Sequence, residues 1–295
     1  MKIKNKFYKI AGLVIVIVIV IIISLGAWLT IGNLTPAKEK IFRVLPSPAA
    51  LVNGKPVAIS LLLDRYGEAI KLSAKNAKSQ PDDDLKAKVF DELLAETKMN
   101  ELASSLGLPA SKKQIDDEYQ LRQAEFAAQG MPKLDESLKT ANLSQAEYKN
   151  GALKAEVAAA NLSAWFYGQR ELNQSSYQKA DSVLAQLAAG TEFNVLSDAN
   201  AAGQTGNTSG DLGFMRLDQI LPEMRGAVDS MKIGDSKIAP NRYGIEIIRL
   251  LQTNNDAKSG NTEYHLQHIF LLGSDFETWY KEKIKNYKTI KIINF

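Results

Sequence analysis

Twenty-three consecutive residues without a charged side chain, 10–32 (IAGLVIVIVIVIIISLGAWLTIG), constrain this chain more than any other feature. As a helix rising 1.5 Å per residue they reach roughly 34 Å, slightly more than the ~30 Å hydrocarbon layer of a bilayer. Residues 1–9 carry Lys2, Lys4, Lys6 and Lys9 and no acid. Loop lysines stay on the cytoplasmic side, so the pattern predicts a single-pass anchor in the cell membrane, with a cytoplasmic tail and the bulk of the chain extracytoplasmic. The alternative is a cleaved signal peptide, whose apolar core is usually shorter, about 7–15 residues.

Composition removes several function classes. Among 295 residues there is no cysteine, so disulfides, thiolate metal sites and cysteine nucleophiles are out. The two histidines, His265 and His268, have no cluster of further ligands nearby, and neither a metal nor another cofactor is expected. The net charge of +3 comes without a basic cluster interleaved with aromatics, which argues against nucleic acid as a partner.

Beyond the apolar run, residues 33–48 hold Pro36, Pro46 and Pro48 and read as an extended linker. The stretch ALVNGKPVAIS follows, with Asn53-Gly54 between short apolar runs, the strongest short-range signal for a hairpin. Pro81 and three aspartates then open a helix carrying Leu85, Val89, Leu93 and Leu94 on one stripe. Ser111 with Gln114, and Ser144 with Glu147, have capping-box spacing, and Gly-Leu-Pro and Gly-Met-Pro separate helices. An Ala-rich helix runs on to Trp165-Phe166-Tyr167, which reads as core, with a peptide-binding surface as the alternative. After residue 175 come a helix at 177–189, a Gly/Asn/Ala loop, the stretch SGDLGFMRLDQILPEM, and strands at 243–251 and 264–272. A basic amphipathic helix at 276–287 and an alternating TIKIINF close the chain.

Residues 180–250 resemble the parvulin family of prolyl isomerases. The resemblance is carried by ADSVLAQLAAGTEFNVLS, then SGDLGFMRLDQILPEMRGAVDSMKIGD, then YGIEIIRL. The flanks, from ALVNGKPVAIS through GLPASKKQIDDEY and NLSQAEY to FETWYKEKIKNYKTIKIINF, look like SurA-like and PrsA-like chaperone-foldases. This resemblance implies an α+β chain with a small antiparallel sheet. A helical chaperone module (49–174) would be closed by a C-terminal helix and strand (273–295), with a parvulin-like domain (175–272) inserted between them. Its partners would be unfolded or newly secreted polypeptides and proline-containing segments.

The resemblance also assigns site residues, with departures. Leu212, Ile220 and Met224 match positions that line a proline pocket; the alternative is that they only fill the core. Where parvulins close their sheet with a histidine, this chain has Glu246. The loop position that usually holds Cys or Asp falls near Gly203, and no histidine precedes the helix at Tyr177. A strand like the missing one, YHLQHIFLL with His268, lies downstream instead. One reading is a circularly permuted domain in which His268 and Glu246 are adjacent; the other is a remnant of a second domain. Two functions stay open, a prolyl isomerase and a holdase chaperone with a degraded isomerase site, with a non-catalytic scaffold in a secretion complex as a third.

Overall fold

The computed structural model describes residues 38, 40–42, 47–73, 82–141, 143–200, 210–256 and 261–293. The expected tail at 1–9, the apolar run at 10–32 and the loop position at Gly203 lie outside them. Among the described residues no helix is long and apolar enough to cross a membrane. The fold is mixed α+β with small antiparallel sheets, and it divides into two compact units: Met1–Lys98 with Tyr287–Phe295, and Met99–Asn286.

In the first unit, strands β1 (Pro48–Val52) and β2 (Lys55–Ala58) form the hairpin that Asn53-Gly54 signals. Both turn residues have positive φ, 49° and 81°, the geometry that matches the twist of the paired strands. The hairpin is shorter than ALVNGKPVAIS suggests, because Ile59 already opens helix α1 (Ile59–Ser73). Helix α2 (Asp82–Ser105) follows, and the chain passes into the second unit within it. The final strand β7 (Thr289–Lys291) pairs antiparallel with β1, placing Ile290 opposite Leu51. Val52, Val57, Leu62, Phe90, Leu93 and Ile293 share this unit's core.

The second unit begins with helices. Helix α3 (Lys112–Ala128) starts at Ser111, whose hydroxyl accepts from the Gln114 N–H while the Gln114 side chain accepts from Ser111 N–H. After α4 (Leu134–Thr140), the short α5 (Gln145–Tyr148) opens on the same reciprocal cap between Ser144 and Glu147. The helix expected to run unbroken from there bulges into a π-turn at Lys149–Leu153. Gly151 leaves helical geometry at φ −93°, ψ −106°, and α6 (Lys154–Gly168) then continues. Helices α7 (Gln174–Ala188) and α8 (Phe193–Asn200) complete this part.

Four strands form the second sheet: β3 (Asp211–Arg216), β4 (Ser236–Asn241), β5 (Gly244–Asp256) and β6 (Asn261–Leu271). Their order is β3-β6-β5-β4, every neighbour antiparallel, so the last strand in sequence is central. Successive side chains of a strand point to opposite faces. Ile245, Ile247, Ile269 and Leu271 therefore meet Phe166, Tyr177, Val183 and Phe193 on one face. Ile248, Leu250, Tyr264 and Leu266 face the other way, onto helix α9 (Pro222–Asp229). Helix α10 (Phe276–Ile284) sets Phe276 and Trp279 against Phe166, with ring centroids 5.5 and 5.0 Å away. The Trp165-Phe166-Tyr167 run is thus core-forming: Phe166 and Tyr167 are buried and Trp165 packs beside them.

Candidate functional site

The register of β5 and β6 builds the site. Ile247 stands opposite Ile269 and Ile248 opposite His268. Strand alternation then puts Glu246 and His268 on the face that α9 covers, one step apart across the two strands. His268 Nδ1 lies 3.3 Å from Glu246 Oε2, with 22% and 13% of the two side chains exposed. The pair is neither solvated freely nor sealed.

Ile220 and Met224 come from the start of the α9 segment, where Pro222 sits in the first helical turn. They are 4% and 5% exposed and pack against Val228, Ile248, Leu250 and Leu266, while Leu212 is partly buried at the edge of the same cluster. All five residues singled out from the sequence thus lie on one face of one sheet.

The two glycines of the GDLG stretch have different physical reasons. Both hold positive φ, 66° at Gly210 and 67° at Gly213. A β-carbon on Gly210 would fall 2.2 Å from the His268 carbonyl oxygen and 2.6 Å from Ser197 Oγ, whereas one on Gly213 would meet nothing. Gly210 thus lets the loop end close against the backbone of His268; Gly213 only permits a bend. Between them Asp211 accepts from Gly213 N–H at 2.8 Å and from His265 Nε2 at 2.8 Å. The Gly213 bond, more than His265, holds the Asp211 carboxyl below its ordinary range. His265 also lies tilted beside the exposed Phe214, with ring centroids 4.8 Å apart, on the opposite sheet face from His268.

Two groups of the site were not foreseen from the sequence. Asn241, the last residue of β4, is fully buried and donates from Nδ2 to Glu246 Oε1 at 2.9 Å. Next to it, Arg242 forms a fork onto the buried Glu118 of α3, at 2.9 and 2.6 Å. It also binds Glu223 of α9, through Nε at 2.8 Å, a second guanidinium nitrogen at 2.9 Å and its own backbone N–H at 3.0 Å. Burial pushes the Glu223 carboxyl up, but hydrogen bonding and charge from Arg242 outweigh it and hold the group below its usual range. Arg242 itself would be lowered by burial, and its bonds to Glu223 and Glu118 raise it instead. A turn reading Asn-Arg-Tyr-Gly looks like ordinary connector chemistry.

Residues 142–254 match the family model of the PPIC-type PPIASE domain. The resemblance read from the sequence, to parvulin-type isomerase domains and SurA-like chaperones, is supported by this match and by the similarity to individual proteins. Among individual proteins the chain is similar to several named Chaperone SurA. It is 29% identical over 102 residues to that of Hydrogenovibrio crunogenus, covering 34% of this chain and 23% of that one. With the Pseudomonas aeruginosa protein it shares 24% over 106 residues, 36% of this chain and 25% of the relative. The alignment to the Escherichia coli O6:H1 protein is longer, 22% identical over 290 residues, 82% of this chain and 66% of the relative. The chain spans about a quarter of the length of the first two of these relatives.

Proposed function

We propose that this chain is a membrane-anchored extracytoplasmic folding factor. It binds unfolded or newly secreted polypeptides and carries a parvulin-type site of permuted connectivity. The observation that carries the reading is the central position of β6, which brings His268 to Glu246 over Ile220 and Met224. The matched stretch 142–254 ends before β6, and where a first strand should precede helix α7 it holds helix α6 instead. A sheet with an empty centre would leave the N–H and C=O groups of β3 and β5 unpaired, and the downstream strand supplies them. This favours permutation over a packed remnant.

Rotation about a prolyl bond faces a barrier of ~18–20 kcal/mol, set by amide conjugation. A catalyst needs an apolar seat for the ring and polar groups that favour the twisted amide; no nucleophile is required. Leu212, Ile220 and Met224 supply apolar surface, and Glu246 with His268 the polar pair. Since Ile220 and Met224 are almost wholly buried, they offer a proline ring little open surface, which suits weak turnover beside a main function as a chaperone. The Glu246–His268 contact favours a second reading in which isomerisation is the main activity. Anchoring is supported by residues 10–32 and the lysines before them.

Two assays on the full chain separate these readings. Suppression of aggregation of an unfolded client, unchanged in His268→Ala, supports the chaperone. Acceleration of a proline-peptide isomerisation that His268→Ala abolishes supports the isomerase. Failure in both assays removes the proposal.

A further inference from the structure

The carboxylate that faces His268 is itself held from behind. Asn241 donates through Nδ2 to Glu246 Oε1, and its orientation is fixed because Oδ1 accepts from the Tyr243 N–H at 2.8 Å. The same Nδ2 lies 3.3 Å from Met224 Sδ, so the amide touches both the apolar seat and the polar pair. Its chain neighbour Arg242 is bonded to Glu118 on α3 and Glu223 on α9. A strand-to-strand turn is ordinarily among the more mobile parts of a domain. Here charge-assisted bonds from two helices pin it.

We infer that Asn241 is a positioning residue for the Glu246–His268 pair, and that Glu118 and Glu223, acting through Arg242, hold the turn that carries it. The inference rests on reading Glu246 and His268 as the working polar groups of the site. A carboxylate oxygen only accepts. With Oε1 engaged by Asn241, Oε2 is aimed at the imidazole, and the nitrogen facing it, Nδ1, carries the hydrogen. In the neutral ring Nε2 then keeps its lone pair and is the acceptor on the other side. Without Asn241 the carboxylate has no fixed rotation about its own stem, and the ring loses the partner that selects its tautomer.

The experiment reads the tautomer directly. The chain has two histidines, so a His265→Gln background leaves His268 as the only imidazole in long-range proton–nitrogen spectra of the full chain. Spectra are recorded well above the ordinary imidazole titration range. The expected result is a single form with its hydrogen on Nδ1, replaced by a mixture in Asn241→Ala and, to a smaller extent, in Arg242→Lys, which loses the fork. Asn241→Thr, smaller but still able to donate, covers the case in which Asn241→Ala does not fold, and should fall between. Turnover of a proline peptide is followed in parallel. A roughly ten- to hundredfold fall in kcat with KM held is expected in Asn241→Ala, the scale of a misplaced catalytic group. An unchanged tautomer in the Asn241 variants overturns the inference. A tautomer that responds in a protein with no turnover supports the positioning and counts against isomerase activity alone.

Discussion

Arg242 and Glu118 stand 124 positions apart in the chain and meet through two bonds, 2.9 and 2.6 Å, with the carboxylate fully buried. Arg122 approaches the same carboxylate at 3.4 Å, and Glu223 takes the remaining side of Arg242. Removing one partner from such a cluster leaves the remaining buried charges only partly compensated. Glu118→Ala is expected to cost about 3–5 kcal/mol. Arg242→Met, which takes the guanidinium from Glu223 and leaves Glu118 only the longer contact to Arg122, should cost more. Urea unfolding followed by circular dichroism checks both; a Glu118→Ala midpoint equal to that of the parent would show that the cluster is slack.

Glu223 makes the same cluster sensitive to acid. Its folded carboxyl titrates below the unfolded value of about 4.3. The folded state therefore binds this proton less readily than the unfolded state. The stabilisation is complete above the unfolded value and fades as the pH falls through the folded one. A stability–pH curve should show an acid limb that flattens in Glu223→Gln. An equally steep limb in that variant assigns the sensitivity to other carboxylates.

Gly210→Ala is expected to destabilise the second unit by more than about 1 kcal/mol, since both the positive φ and the missing side chain matter there. The added carbon must push on the carbonyl of His268, so amide exchange in β6 near that residue should quicken. Gly213→Ala has the strained φ without the clash and should cost less. Equal losses at the two positions would contradict the close approach.

Phe166 is the hub of the aromatic packing, with Tyr167, Phe276 and Trp279 all within 5.5 Å by ring centroid. Phe166→Ala opens a cavity among groups anchored on α6 and α10 and should cost about 3–5 kcal/mol. Because Trp165 and Trp279 lie 5.8 Å apart beside it, their fluorescence should report the loss. A spectrum and an unfolding midpoint that both stay at the parent values would rule out this packing.

Much of the architecture was legible in the order of residues. Asn53-Gly54 gave a hairpin, Ser111–Gln114 and Ser144–Glu147 gave helix starts, and alternation in YGIEIIRL and YHLQHIFLL gave strands, because each signal acts between residues a few positions apart. Even the neighbour of β5 could be argued from backbone accounting, since buried N–H and C=O groups must find partners. The shift from one continuous helix to a bulge at Gly151 was not readable, because glycine permits that geometry without requiring it.

The sequence by itself determined which segments are helices and strands, which face of each is apolar, and where the backbone needs glycine. Only the tertiary structure decided that Asn241 would grip Glu246, and that Arg242 would reach Glu118 across 124 positions. The reason is physical. A turn, a cap or an alternating strand is stabilised by its immediate neighbours, so its signature is written locally. A buried charge is tolerable only once a distant partner has been brought to it, and nothing near either residue in the chain records that meeting.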